Sequence, residues 1–140
     1  MKRAISILLV LIICLSMCAC GVSKDQVRDD IIDKRWYGSI DAYDGAGWIS
    51  YNVRFSYAYT ATVEWTSGVD GIYDVNGYIP GTTSSLRWEG PYTIENNRII
   101  VSDGGKDIII YYTYENGEID LTVKNDEGNV PLKIMPANAI

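Results

Sequence analysis

Three cysteines, Cys14, Cys18 and Cys20, all fall within the first twenty of 140 residues, and the chain contains no histidine. No Ser-His-Asp or Cys-His nucleophile and no imidazole zinc site can be built from it, and beyond residue 20 no disulfide or thiolate cluster can form. Glu115 and Glu118 flank an Asn116-Gly117 turn. Paired carboxylates suit glycoside hydrolysis only across a cleft, and a hairpin tip has none. Asp74-x-Asn76-Gly77 carries part of a calcium-loop cadence, but Ile72 stands where the first ligand belongs and no bidentate glutamate follows in place, so it reads as turn chemistry. Ser84-Ser85 and the many threonines have no base to activate them. The chain therefore reads as a non-enzyme, with no catalytic residues, no metal and no cofactor. What remains is aromatic: 11 Tyr and 4 Trp against a single Phe. Such side chains join a flat apolar face to a hydrogen-bonding tip, which is the chemistry of binding.

Met1-Lys2-Arg3 is a basic start, Ala4 to Leu15 is an apolar run broken only by Ser6, and Ser16 to Gly21 is a small-residue segment. This is signal-peptide anatomy. Met17-Cys18-Ala19-Cys20 resembles the lipobox of bacterial lipoproteins, with Cys20 the better lipid acceptor because Ala19, not the bulky Met17, then borders the cut. An uncleaved membrane anchor is the alternative, but the apolar run is shorter than the ~20 residues a helix needs to cross a bilayer. Residues 1–20 are thus expected to be a leader, with Cys20 lipidated as the first mature residue, exported and held on the extracytoplasmic face of the cell membrane. Removing Lys2 and Arg3 with the leader leaves 10 basic against 18 acidic side chains, a net charge of −8. Such a body repels phosphate backbones, so nucleic acid is not an expected partner.

The mature chain is one domain in size. Residues 21–34 are expected to be a linker and a short helix from Lys24 to Lys34, opened by the capping box Ser23-x-x-Gln26, with Val27, Ile31 and Ile32 packing on the body. From 35 to 135 the period becomes two. Trp36 to Asp41 is a first strand, and Asp44-Gly45-Ala46-Gly47 turns into a second. Residues 53–65 alternate without a break and are expected to divide near Tyr57 to Tyr59, because one strand of that length is uncommon. Four later turns specify one register: Asn96-Asn97, Gly104-Gly105, Asn116-Gly117 and the loop 125–128. They pair Ile94 with Ile99, Tyr92 with Val101, Val101 with Ile108, Ile99 with Ile110, Ile110 with Val123, Tyr112 with Leu121, Tyr114 with Ile119, Val123 with Val130, Leu121 with Leu132 and Ile119 with Ile134. A one-residue slip would flip every side chain, so agreement of four turns on one apolar face specifies a five-strand meander over residues 85–135. Residues 67–85 form the longest stretch without a clear strand, with a small hairpin pairing Val75 and Tyr78, and long connections of this kind are often functional.

Trp36-Tyr37-Gly38, GPYTIENNRIIV (Gly90 to Val101) and YYTYENGEIDLTV (Tyr111 to Val123), behind the lipid-acceptor signal, resemble the small lipocalin-like domains of secreted bacterial lipoproteins over residues 33–135. The chain has Lys34 where lipocalins usually carry glycine, and Ala58-Tyr59 where family members usually have an Asp-Gly turn. The resemblance implies an all-β, up-and-down antiparallel barrel of about eight strands, with an open β-sandwich as the alternative. In that barrel Trp65, Trp88, Tyr92, Tyr112 and Tyr114 point inward. They either line a pocket for a small apolar or cyclic ligand or simply pack the core, and Tyr73 and Tyr78 on the 67–85 loop would close the mouth. Outward-facing Tyr111, Ile109 and Ile100 leave an apolar stripe, either a partner or sugar platform or a surface covered by the helix. The expected function is a lipid-anchored extracytoplasmic binding module of the cell envelope. The alternative is a carbohydrate- or protein-interaction lipoprotein working through surface aromatics.

Overall fold

The computed structural model describes residues 22–136, so Cys20 and the leader lie outside the described residues. Ser23 caps helix α1 (Lys24–Ile31), its Oγ accepting the Gln26 N–H at 3.2 Å. The helix stops at Ile31 rather than running to Lys34, because Ile32 turns extended and bridges to Phe55. Ten strands follow: β1 (Arg35–Ala42), β2 (Gly47–Phe55), β3 (Thr60–Val69), β4 (Ile72–Asp74), β5 (Gly77–Ile79), β6 (Thr82–Glu95), β7 (Arg98–Ser102), β8 (Asp107–Glu115), β9 (Glu118–Asn125) and β10 (Gly128–Ile134). Eight of them close an antiparallel barrel in the order β1-β10-β9-β8-β7-β6-β3-β2, while β4 and β5 form a separate two-stranded arm. The closed ring decides between the barrel and the open sandwich in favour of the barrel.

The meander has the register that its turns specify. Ile110 opposes Val123, Tyr112 opposes Leu121, Ile99 opposes Ile110, Tyr92 opposes Val101 and Val123 opposes Val130. Asn116 (φ 53°) and Gly117 (φ 79°) are both left-handed, the twist that a two-residue hairpin demands. One expected pair is absent. The β9–β10 ladder ends at Leu121 and Leu132, short of Ile119 and Ile134, because the end of β10 serves the closing seam: Ile134 pairs with Trp36, and the Met135 N–H donates to the Arg35 carbonyl at 2.8 Å. That seam needs Gly38, since a Cβ there would overlap the Pro131 carbonyl oxygen.

The long alternation divides as expected, β2 ending at Phe55 and β3 starting at Thr60. The turn between them borrows its stability from elsewhere. Ser56 N–H donates to Thr60 O at 2.9 Å, Arg28 Nη2 of α1 donates to Tyr57 O at 3.0 Å, and the Arg28 guanidinium lies 4.4 Å over the Tyr59 ring, holding Tyr59 at φ 57°.

Residues 67–85 differ most from expectation. They are largely strand: β3 and β6 pair out to Val69 and Thr82, and after two residues on each side the same register resumes with Ile72 opposite Ile79 and Tyr73 opposite Tyr78. The arm is thus a continuation of the β3–β6 ribbon. The expected Val75–Tyr78 pair does not form. Asp74 pairs with Gly77 instead, and its Oδ1 accepts the Asn76 N–H at 2.7 Å, which moves the turn to Val75-Asn76.

The barrel interior is filled with aliphatic side chains. Val53, Val63, Ile99, Ile110 and Val130 are fully buried, and α1 seals one end by inserting the fully buried Val27 and Ile31. Trp36 Nε1 ties the plug down by donating to the Ile31 carbonyl at 3.1 Å. Replacing Leu121 by Ala should therefore cost about 2 to 5 kcal/mol in chemical denaturation, while Thr122→Ala, on the outer face, should stay within about 0.5 kcal/mol. Equal costs would contradict the register.

Candidate functional site

The aromatic residues singled out from the sequence do not converge on one pocket. They divide among three places.

Tyr92, Tyr112 and Tyr114 lie at the plugged end. Tyr92 is only 2 % exposed, packs edge-on against Phe55 with ring centroids 5.1 Å apart, and donates through its hydroxyl to Ser56 O at 3.2 Å. Tyr112, half-buried, donates to the Glu95 carbonyl at 2.7 Å. Tyr114 donates to Asp30 Oδ2 of α1 at 2.6 Å. Burial, reinforced by the Asp30 carboxylate that accepts its hydrogen bond, pushes the Tyr114 phenol well above the ordinary tyrosine value. All three hydroxyls are committed within the fold, that of Tyr114 to the helix itself.

Trp65 and Trp88 lie toward the open end, both half-buried on the inner face, in the cross-strand rows Tyr51–Trp65–Leu86 and Val53–Val63–Trp88. Trp88 borders a recess of about 560 Å³ that also takes in Tyr51, Lys106, Ile108, Val123 and Asn125. That volume falls within the range of small-molecule sites. Asn125 Nδ2 donates to the Tyr51 hydroxyl at 2.6 Å, and burial raises the Tyr51 phenol above its ordinary value. Lys106 Nζ stands 6.0 Å from the Trp88 ring centroid. The recess opens through the wall because the β8–β9 ladder ends at Ile110 and Val123, so Asp107 to Ile109 part from Lys124 and Asn125. Ile109 and Tyr111 form its outer lip. These outward residues are half-buried by their own sheet, since α1 plugs the far end instead of covering them.

Tyr73 and Tyr78 pack against each other on the arm, centroids 5.0 Å apart and rings tilted by 46°. Tyr73 is 83 % exposed and Val75 at the tip is completely so, which means that the arm stands clear of the mouth and does not close it. The opposite face of the arm carries the exposed pair Ile72 and Ile79. Exposed apolar side chains are thus on both faces of a ribbon that, as an isolated hairpin, would be marginally stable. Gly71 lets the Tyr78 ring lie against the backbone, where a Cβ would collide with it.

The remaining candidates give turns. Glu115 and Glu118 oppose each other at an exposed tip, and among the described residues no group of three or more Asp, Glu, Cys or His is placed to hold a metal. Asp103 accepts the backbone N–H groups of Gly105 and Lys106, which hold its carboxyl below the ordinary range. Two members of the recess, Tyr51 and Lys106, were not singled out from the sequence. The alternation that starts at Val53 extends back through Tyr51 and Ile49, and that was the available signal for the first.

The chain matches no protein-family model, no curated protein and no solved structure. The fold alone therefore sets its class: an eight-stranded antiparallel β-barrel with a short helix.

Because Tyr114 is held protonated, its contribution to stability is complete below the ordinary tyrosine value and is lost as pH rises through its own higher one. In a ¹³C NMR titration its ring should remain un-ionised at about pH 11, a unit above the ordinary value of about 10. Titration at the ordinary value would show that the bond to Asp30 is not maintained.

Proposed function

We propose that this protein is a lipid-anchored, extracytoplasmic binding module of a bacterial cell envelope, without enzymatic activity, that presents its β-arm to a macromolecular partner. The observation that carries this reading is the arm itself, with Tyr73–Tyr78 on one face, Ile72–Ile79 on the other and Val75 at the tip, all exposed. Contiguous exposed apolar surface on a small domain marks an interaction site.

Placement supports the same reading. Only three residues separate Cys20 from α1, so a lipid on Cys20 would hold the plugged end against the bilayer. The arm leaves the opposite end. From Thr60 to Val75 the ribbon runs fifteen steps, about 50 Å at the usual rise per strand residue. The filled interior also speaks for binding at the rim and beyond rather than in a central cup.

A second reading is favoured by the recess at the mouth. A small cyclic ligand could lie on Trp88 with an acidic group toward Lys106. Native mass spectrometry of protein purified from its host, with and without Trp88→Ala, would reveal it as a retained mass lost in the variant.

The principal reading is tested in cells by placing a photo-crosslinking residue at Val75 and, as a control, at Glu118 on the opposite end. A discrete crosslinked species from Val75 alone is expected, abolished by Tyr73→Ser with Ile79→Ser while thermal stability is retained. Cys20→Ala should release the protein from the membrane fraction. Crosslinks equal at the two sites, or unaffected by the arm substitutions, would overturn the arm as the binding element.

A further inference from the structure

We propose that the outer edge of β6, from Thr82 to Glu89, is a docking site for an extended segment of a partner protein that adds to the barrel wall as an extra strand, apolar at alternate positions and basic between them. This rests on the interaction reading above and specifies how the partner is held.

β6 is fourteen residues long, and its two edges are served unequally. On one side it pairs with β3 over Thr82–Pro91, ten residues in succession. On the other it pairs with β7 only over Tyr92–Glu95. Among the described residues, no strand lies against that side of Thr82–Glu89. The Tyr92 N–H donates to the Tyr59 carbonyl, toward β3, and backbone direction alternates along a strand. The even-numbered residues of this stretch therefore bond to β3, and the N–H and C=O groups of Thr83, Ser85, Arg87 and Glu89 point to the open edge. Pro91 fits the same parity, since its missing N–H falls on the β7 side. Four donors and four acceptors stand in a row.

Edges of this kind are usually blunted by lysine, proline, a bulge or a covering loop. Thr82–Glu89 has no lysine, no proline and no break in its register with β3. It ends where Gly90 meets the Ser102 carbonyl of β7, so an added strand would lie in line with β7 and run antiparallel to β6. On the inner face Leu86 is 55 % exposed and Trp88 is half-buried; alternate apolar side chains of the incoming strand would cover them. Charge sets the remaining positions. Asp70, Asp103 and Asp107 outnumber Lys106, 6.0 Å from the Trp88 ring, about this end, while the Arg87 guanidinium is already shared between Glu64 at 3.7 Å and Glu89 at 3.4 Å. A basic segment is complementary to that surface. A second copy of this chain is not, because it would bring two acidic ends together, and antiparallel pairing of the two β6 strands would turn one barrel's anchored end away from the bilayer.

The test uses the ¹⁵N-labelled protein and a synthetic acetyl-Val-Lys-Val-Thr-Val-Arg-Val-Lys-amide peptide, with a counterpart bearing Glu at every basic position. The basic peptide should slow amide exchange and shift resonances at Thr83, Ser85, Arg87 and Glu89, leaving Ser84 and Leu86 nearly unchanged. Ser85→Pro removes one edge donor without touching the β3 ladder, so it should keep the fold and weaken binding about tenfold, the loss of one or two hydrogen bonds. Binding that leaves the edge amides unaffected, or that Ser85→Pro does not weaken, overturns strand docking, as does no binding at all. Equal binding of the acidic peptide overturns the basic partner. If strand docking fails while Val75 crosslinks persist, the interaction reading stands without it; if Val75 crosslinks fail while the edge still binds peptide, the edge and not the arm is the site.

Discussion

An eight-stranded ring encloses a space just wide enough for side chains to fill, and this chain, with no cysteine after residue 20, has little besides that filling to hold it. The rest of the structure follows from that constraint. Val53, Val63, Ile99, Ile110 and Val130 occupy the middle, and the plugged end is made good by Val27 and Ile31 of α1, whose backbone is pinned by Trp36 and whose Asp30 is pinned by Tyr114. A ring filled in this way has no room for a ligand at its centre. Aromatic residues that would line a cup in an emptier barrel become struts, and Tyr92, Tyr112 and Tyr114 spend their hydroxyls on backbone carbonyls and one carboxylate.

Filling one end leaves the other uneven. β6 runs on beside β3 as far as Thr82 while β7, its other neighbour, is only five residues long, so the wall rises on one side and its upper edge loses a partner. On the low side β8 and β9 separate beyond Ile110 and Val123 and open the recess beside Trp88. The arm and the free edge follow from that mismatch in strand length, and the recess from the parting of β8 and β9. Together they gather uncommitted apolar surface and unpaired backbone at the end away from the helix, where a partner has access.

How much of this was legible depends on where the determining forces lie. Asn116-Gly117 and the turns at Asn96-Asn97 and Gly104-Gly105 are local signals, and with the alternating apolar residues they specified nearly the whole meander. The turn at Tyr57 to Tyr59 carries no Gly, Asn or Pro because Arg28, from a helix about thirty residues away in sequence, supplies its hydrogen bond and cation–π contact. The 67–85 segment was hidden by composition. Gly71, Pro80 and Gly81 interrupt the strands there, yet the register across Val69–Thr82 is the one that reappears at Ile72–Ile79. The division of the aromatics between plug, mouth and arm could not be read from inward or outward parity, since parity gives the face of a residue and not its height in the barrel.

A rigid, filled barrel with one uncommitted edge has a direct signature in the amide exchange of the free protein. Along Thr82–Glu89 the amides of Ser84, Leu86 and Trp88, bonded to β3, should exchange slowly, and those of Thr83, Ser85, Arg87 and Glu89 fast. Alternation between fast and slow down a single strand is the expected result of measuring each by NMR. Uniform protection along β6 would contradict it, because it would mean that the edge is already paired and that nothing at this end of the barrel waits for a partner.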